Sequence, residues 1–264
     1  MLAALVCAQG AYADTPFALH VPVLMYHRIQ CPTSGQRLAG LFLCPAALDA
    51  QMALLQSKGW HTITGDQLAD DVTNHTCPGP KTFVVTVDDG ALDGYTNGAP
   101  VWDVHGFTAT FAMVTGKAGD YLMDPAPSWY SPAKPHFSWD QARDLVGRGF
   151  GVANHTVMHT AVANDTTAQL DAEVQAAQDQ INTELGFMPK VFVYPYGAFG
   201  TTETQYLAQR FVLAFTDPGS TGAVNGADET TDPMHAPRIR VVGGFHPTTP
   251  NGLLNKMKPY AVPC

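Results

Sequence analysis
The sequence predicts an α/β fold, a parallel sheet of seven or eight strand–helix repeats closed into a barrel. Three observations lead there. Short apolar runs alternate with helical stretches along nearly the whole chain, the pattern of parallel strands joined by crossover helices. About seven or eight repeats within 264 residues suit a closed barrel better than a doubly wound sheet. No Gly-x-Gly-x-x-Gly or phosphate-loop motif follows the first strands, which argues against a nucleotide-binding version.

Each element has its own signal. VPVLMYH (21–27) is a short apolar run and reads as a strand. PAALDAQMALLQSKGW (45–60) opens on Pro and closes on Lys-Gly, a helix with its stop signal. HTI (61–63) is a strand, and Thr64 opens a short helix over 64–72. KTFVVTV (81–87) is a strand, 94–106 a helix ending at Gly106, and TATFAMV (108–114) a strand. A loop rich in Pro, Trp and Tyr covers 120–137. Ser138 caps a helix over 138–149, and FGVANHT (150–156) is a strand running into a loop. The clearest helix spans 165–186: Leu170, Val174, Ala177, Ile181 and Leu185 form one stripe, and Thr166 with Gln169 makes a capping box. KVFVYPYG (190–197), FVLAFT (211–216) and RIRVV (238–242) are the remaining strands, with a helix over 201–210 between the first two.

Composition narrows the function. The net charge of −9 argues against a nucleic-acid partner. No apolar run reaches the roughly 20 residues of a membrane helix. MLAALVCAQGAYA (1–13) is apolar and ends in Ala-x-Ala, which reads as an export signal. The mature chain, 14–264, is then expected to be one secreted or periplasmic domain, acting as a monomer. It keeps Cys31, Cys44, Cys77 and Cys264. An even count in an exported protein predicts two disulfides, with three pairings possible. Cys31–Cys44 would close a loop rich in Pro and Gly, and Cys77–Cys264 would pin the C-terminus.

The chemistry gathers at strand ends, where barrels place their sites. TVDDG (86–90), NHTVMH (154–159), YPYG (194–197) and MYH (25–27) all fall there. Side chains on a strand alternate faces, so Asp88 and Asp89 point in different directions. His155 and His159, four apart, share a face on a helical turn. Two histidines with one carboxylate make a catalytic metal set. One aspartate would bind the ion; the other, aimed differently, would take a proton from water.

On these motifs the sequence resembles the NodB-homology polysaccharide deacetylases, carbohydrate esterase family 4. The first family motif, Thr-Phe-Asp-Asp-Gly, stands here as Thr86–Gly90, the second as His155–His159, and the third as Val193-Tyr194-Pro195-Tyr196. The resemblance covers roughly 20–242. It implies a distorted (β/α) barrel, Asp88 as base, and Asp89, His155 and His159 holding one divalent ion, zinc first. The third-motif arginine is replaced by Val193, and the fourth and fifth motifs are not recognisable. The opening VPVLMYHRI, the closing HAPRIRV and YPYG are similar to the poly-N-acetylglucosamine deacetylase branch. In that branch His27 would be the acid, with His235 its rival. Arg238 would replace the lost arginine, and it also stands among the candidate substrate-binding residues.

Tyr196 is a candidate for the oxyanion, through its backbone N–H, and for substrate contact. Trp129, Tyr130 and Trp139 are candidate faces for a sugar ring, with core packing the other reading. The expected activity is hydrolysis of acetyl groups from an acetylated saccharide, with N-acetylglucosamine units of a polysaccharide first. An acetylxylan-type O-deacetylase and a non-catalytic carbohydrate-binding relative are the alternatives.

Overall fold
The computed structural model describes residues 21–32, 39–119, 135–217, 232–241 and 249–260; the export signal expected over 1–13 lies outside them. The described strands are β1 (Val23–Tyr26), β2 (His61–Ile63), β3 (Thr82–Val87), β4 (Thr110–Met113), β5 (Gly151–Asn154), β6 (Val191–Val193), β7 (Leu213–Phe215) and β8 (Ile239–Arg240). They pair in parallel in the order β7-β6-β5-β4-β3-β1-β8, with β2 beside the start of β3. The ring closes through the segment ending in β8. Ile239 pairs with Leu24 of β1. Three residues earlier, the Ala236 N–H donates to Ala214 at 2.9 Å, and its carbonyl accepts from Thr216 at 3.0 Å. One short segment thus joins both edges of the sheet, and the result is the expected distorted barrel.

The helices are α1 (Pro45–Ser57), α2 (Gly65–Asn74), α3 (Ala99–Val104), α4 (Trp139–Gly147), α5 (Thr167–Leu170), α6 (Ala176–Leu185), α7 (Thr201–Leu207) and α8 (Pro250–Met257). Thr64, Ser138 and Thr166 each cap a helix with a full capping box. The single helix expected over 165–186 is α5 and α6 joined through a π turn, Asp171–Gln175, and its stripe from Leu170 to Ile181 is fully buried. The helix expected over 94–106 is a π turn, Gly94–Gly98, ahead of α3, whose Pro100 has no N–H to continue the ladder. Helix α8 is absent from the sequence reading. Thr249 caps it, and Leu253, Leu254 and Met257 join the same buried cluster as Leu48, Met52 and Leu55 of α1.

Strand periodicity sorts the core. One face of the sheet contributes Val23, Val84, Ala112, Ala153, Val191, Val193, Leu213 and Phe215, closed below by Leu68 and Ala69 of α2. These inner residues are mostly small, as the inside of a tight barrel requires. The alternate residues face outward. Leu24, Phe83, Val85 and Phe111 pack on α1, α3, α4 and α8, while Phe192 and Ala214 pack with Leu170 of α5 and Leu207 of α7.

Candidate metal centre and active site
The inner row of β3 runs Val84, Thr86, Asp88, so period-two alternation delivers Asp88 to the mouth of the barrel. Asp88 is buried, and Arg238 meets it there. The guanidinium donates from Nη1 to Oδ1 at 2.7 Å and from Nη2 to Oδ2 at 2.8 Å. It also donates to Thr86 Oγ1 at 2.9 Å and, from Nε, to the Thr216 carbonyl at 2.8 Å. His27, one residue past β1, brings Nε2 to 3.9 Å from Asp88 Oδ2. Burial pushes the Asp88 carboxyl up, but the charges of Arg238 and His27 and the guanidinium hydrogen bonds outweigh it. The group lies below the ordinary aspartate range.

Asp89 leaves the strand in the left-handed region, at φ 72°, followed by Gly90 at φ 65°. A side chain on Gly90 would also press on the Val114 backbone nitrogen, its Cβ at 3.3 Å. That turn separates the two carboxylates. Asp89 Oδ1 lies 3.7 Å from His155 Nε2 and 3.2 Å from His159 Nε2. The two imidazoles stand 4.8 Å apart, centre to centre. The loop carrying them is built by hydrogen bonds. Asn154 holds Val174 and Gln178 from its amide and accepts the Thr156 N–H at 3.0 Å. Thr156 Oγ1 in turn accepts the His159 N–H at 2.9 Å.

These donors fit a divalent ion. Among the described residues, Asp89, His155 and His159 form the one group of three or more candidate ligands, their atoms all within 4.8 Å of one another. Nitrogen and oxygen ligands placed tetrahedrally about 2.0–2.2 Å from one zinc ion stand roughly 3.3–3.6 Å apart, close to the 3.7 and 3.2 Å between Asp89 and the two imidazoles. His155 Nδ1 lies 2.7 Å from the Val193 carbonyl; donation to that oxygen leaves Nε2 as the ligand atom facing Asp89. The contact uses only the main chain of residue 193, so valine serves there. The arginine expected at that position is supplied from Arg238 instead.

Tyr196, in the turn after β6, sits at φ 60° with its ring centre 4.7 Å from that of His159. Seven described non-glycine residues have positive φ, and Asp89, Thr156, His159 and Tyr196 are four of them. Backbone strain of this kind clusters where a structure holds functional geometry.

The remaining candidates separate. Arg238 is wholly buried on Asp88, so it braces a carboxylate and is not exposed to substrate. His235 has both ring nitrogens engaged, Nε2 with Thr204 Oγ1 at 3.0 Å and Nδ1 with Asp232 at 3.0 Å. It stacks on Phe199, and among the described contacts His27 is the histidine beside Asp88. Trp139 opens α4 and packs against the main core. Trp129 and Tyr130 lie outside the described residues.

Sequence reasoning missed the Arg28–Asp93 pair. Arg28 Nε donates to Asp93 Oδ2 at 2.5 Å, and Asp93 Oδ1 accepts the Ile29 N–H at 2.9 Å. Both side chains are buried, and the pair ties the strand end carrying His27 to the segment after Asp89. The available signal was two charged residues placed next to apolar strand ends.

Comparison with known proteins gives the family and the fold. The profile of a family described as polysaccharide deacetylase matches residues 75–212. That span holds Asp88, Asp89, His155, His159 and Tyr196, but neither His27 nor Arg238. YxkH of Bacillus subtilis (strain 168), named for the polysaccharide deacetylases, is 24% identical over 252 residues, 94% of this chain and 81% of that protein. The Streptococcus pyogenes deacetylase PplD, solved with acetate, superposes with a TM-score of 0.74 at 22% identity, over 92% of this chain and 99% of that one. A de-N-acetylase from Aggregatibacter actinomycetemcomitans gives 0.69 at 19% identity, over 89% and 99%. IcaB from Ammonifex degensii gives 0.64 at 22%, over 90% and 97%. At these identities the solved structures are similar in fold.

Proposed function
The chain belongs to the polysaccharide deacetylase family, and from that premise we propose that it is an exported, metal-dependent hydrolase that removes acetyl groups from N-acetylglucosamine units of a polysaccharide. The observation that carries the reading is the division of the two aspartates. Asp88 turns to Arg238 and His27, and Asp89 to His155 and His159.

Asp89, His155 and His159 would hold one divalent ion, zinc first. When bound, such an ion polarises the acetyl carbonyl and makes water a nucleophile near neutral pH. The residues of the chain do the rest. Asp88 accepts the proton of the attacking water, and Arg238 keeps it ionised and fixes its plane. The Tyr196 N–H is the donor for the oxyanion. His27 holds the proton that the departing amine requires. An amine leaves far less readily than an alcohol, so a histidine beside the base supports an N-acetyl substrate. The Cys31–Cys44 disulfide supports an oxidising compartment, and no helix among the described residues is long and apolar enough to cross a membrane.

The test is acetate release from chitooligosaccharides, poly-N-acetylglucosamine, peptidoglycan and acetylxylan, with a chelator control. Release from the N-acetylated substrates, abolished by chelator and restored by zinc, is the expected result. Release from acetylxylan alone moves the reading to an ester substrate. Binding of saccharides with no release from any of them makes the protein a non-catalytic relative.

A further inference from the structure
The loop that follows β6 carries a second feature that the proposed chemistry does not use. Phe199 is 44% exposed, although it is a large apolar side chain. Its ring stacks on His235, with centroids 4.0 Å apart and planes 26° apart, and meets the buried Tyr194 ring at 5.5 Å. Phe199 and His235 border a cleft of about 420 Å³ whose described lining also includes Gly200, Thr201, Thr204 and Gln205.

We propose that this cleft is a sugar subsite, which seats a neutral pyranose ring one or two units along the chain from the ring that loses its acetyl group. The proposal rests on the saccharide reading above and adds that the protein measures chain length. Three arguments support it. The first is continuity. Phe199 lies three residues after Tyr196, whose ring contacts His159, so at most about 11 Å of backbone separates their Cα atoms. A disaccharide spans that gap. The second is chemistry. An aromatic face suits the C–H face of a pyranose, and the exposed side chains of Thr201 and Gln205 offer neutral hydrogen-bonding groups to hydroxyls. The described lining has no carboxylate and no lysine or arginine, which fits an uncharged ring. The third is preorganisation. His235 is fixed at both nitrogens, by Thr204 and Asp232, and Tyr194 is buried, so the stack that supports Phe199 is rigid before any ligand arrives.

The experiment compares wild type, Phe199→Ala and Phe199→Tyr, each checked for an unchanged thermal unfolding midpoint. Acetate release is measured on the N-acetylglucosamine dimer and pentamer. The wild type is expected to favour the pentamer in kcat/KM. Phe199→Ala is expected to shrink that advantage by about tenfold, through KM with kcat held, and Phe199→Tyr to retain it. Equal pentamer-to-dimer ratios in wild type and Phe199→Ala overturn the proposal, as does a wild type with no preference.

A second readout separates this from failure of the deacetylase reading. Cellopentaose, the neutral glucose pentamer, has no acetyl group to lose, and its affinity for the metal-loaded proteins is read by isothermal titration. A roughly tenfold weaker affinity in Phe199→Ala supports the subsite even if no acetate is released from any substrate. Equal affinity, or no binding by the wild type, overturns it.

Discussion
Replacing Arg238 by Met tests the ion pair at the centre of the site. The guanidinium is wholly buried and makes two hydrogen bonds to Asp88, one to Thr86 and one to the Thr216 carbonyl. Methionine fills similar space without charge. The buried Asp88 carboxylate then loses its largest favourable charge. Removing one partner of a buried pair costs about 3–5 kcal/mol. With a urea slope of about 3 kcal/mol/M, the unfolding midpoint near pH 8 should fall by roughly 1–2 M.

The pH dependence fixes the cause. In the wild type the folded carboxyl is depressed, so its stabilisation is present above the unfolded aspartate pKa and is lost as pH falls through the folded one. In the variant burial acts with much less opposition, and the folded pKa rises. Acidification then protonates Asp88 in the variant first. The stability gap should narrow by about 1.4 kcal/mol per pH unit, from the raised pKa of the variant down to the lowered pKa of the wild type. The acid limb of acetate release should move to higher pH in the same variant, because a protonated Asp88 accepts no proton. The assays are urea melts at pH 5 and pH 8 and a pH–rate profile. A midpoint loss equal at both pH values, with an unmoved acid limb, refutes the reasoning.

Two further outcomes are expected. Asp88→Asn should retain bound metal and lose about 10²–10⁴-fold in turnover, with some loss of stability because Arg238 keeps no counterion; Asp89→Asn should lose metal and rate together. Elemental analysis beside acetate release decides, and metal lost from the first variant but kept in the second would reverse the two roles. Cys31 and Cys44 are disulfide-bonded, and Cys77 is also in a disulfide, its expected partner Cys264 lying outside the described residues. Alkylation of the denatured, unreduced protein should therefore leave these positions unlabelled. Reduction of the Cys31–Cys44 link, 13 residues apart, should cost about 3 kcal/mol. Labelled Cys31 or Cys44 in the unreduced protein would sink the assignment.

Much of the fold was legible along the chain, because its signals are local. The stripe from Leu170 to Ile181, the capping residues Thr64, Ser138 and Thr166, and the apolar runs at 82–87 and 110–113 depend on neighbours a few positions away. The candidate metal set was legible in part: Asp88 and Asp89 adjoin at a strand end, but His155 and His159 meet on a loop with Thr156 and His159 in the left-handed region, not on the expected helical turn. Helix α8 carried local signals too, in Thr249, Pro250 and the apolar residues 253, 254 and 257, but its 8 residues hold little more than two turns of periodicity.

What the tertiary structure decided was which distant groups meet. Spacing could not say whether Arg238 faces substrate or a carboxylate. It meets Asp88 across 150 positions because the segment ending in β8 closes the barrel between β7 and β1. The direct pairing of β1 with β3 brings His27, one residue past β1, beside Asp88 at the end of β3, while His235 is held by Thr204 and Phe199. A buried charge finds its partner through the register of strands far apart in sequence. Local propensity does not encode that register; the closing of the hydrogen-bonded ring does.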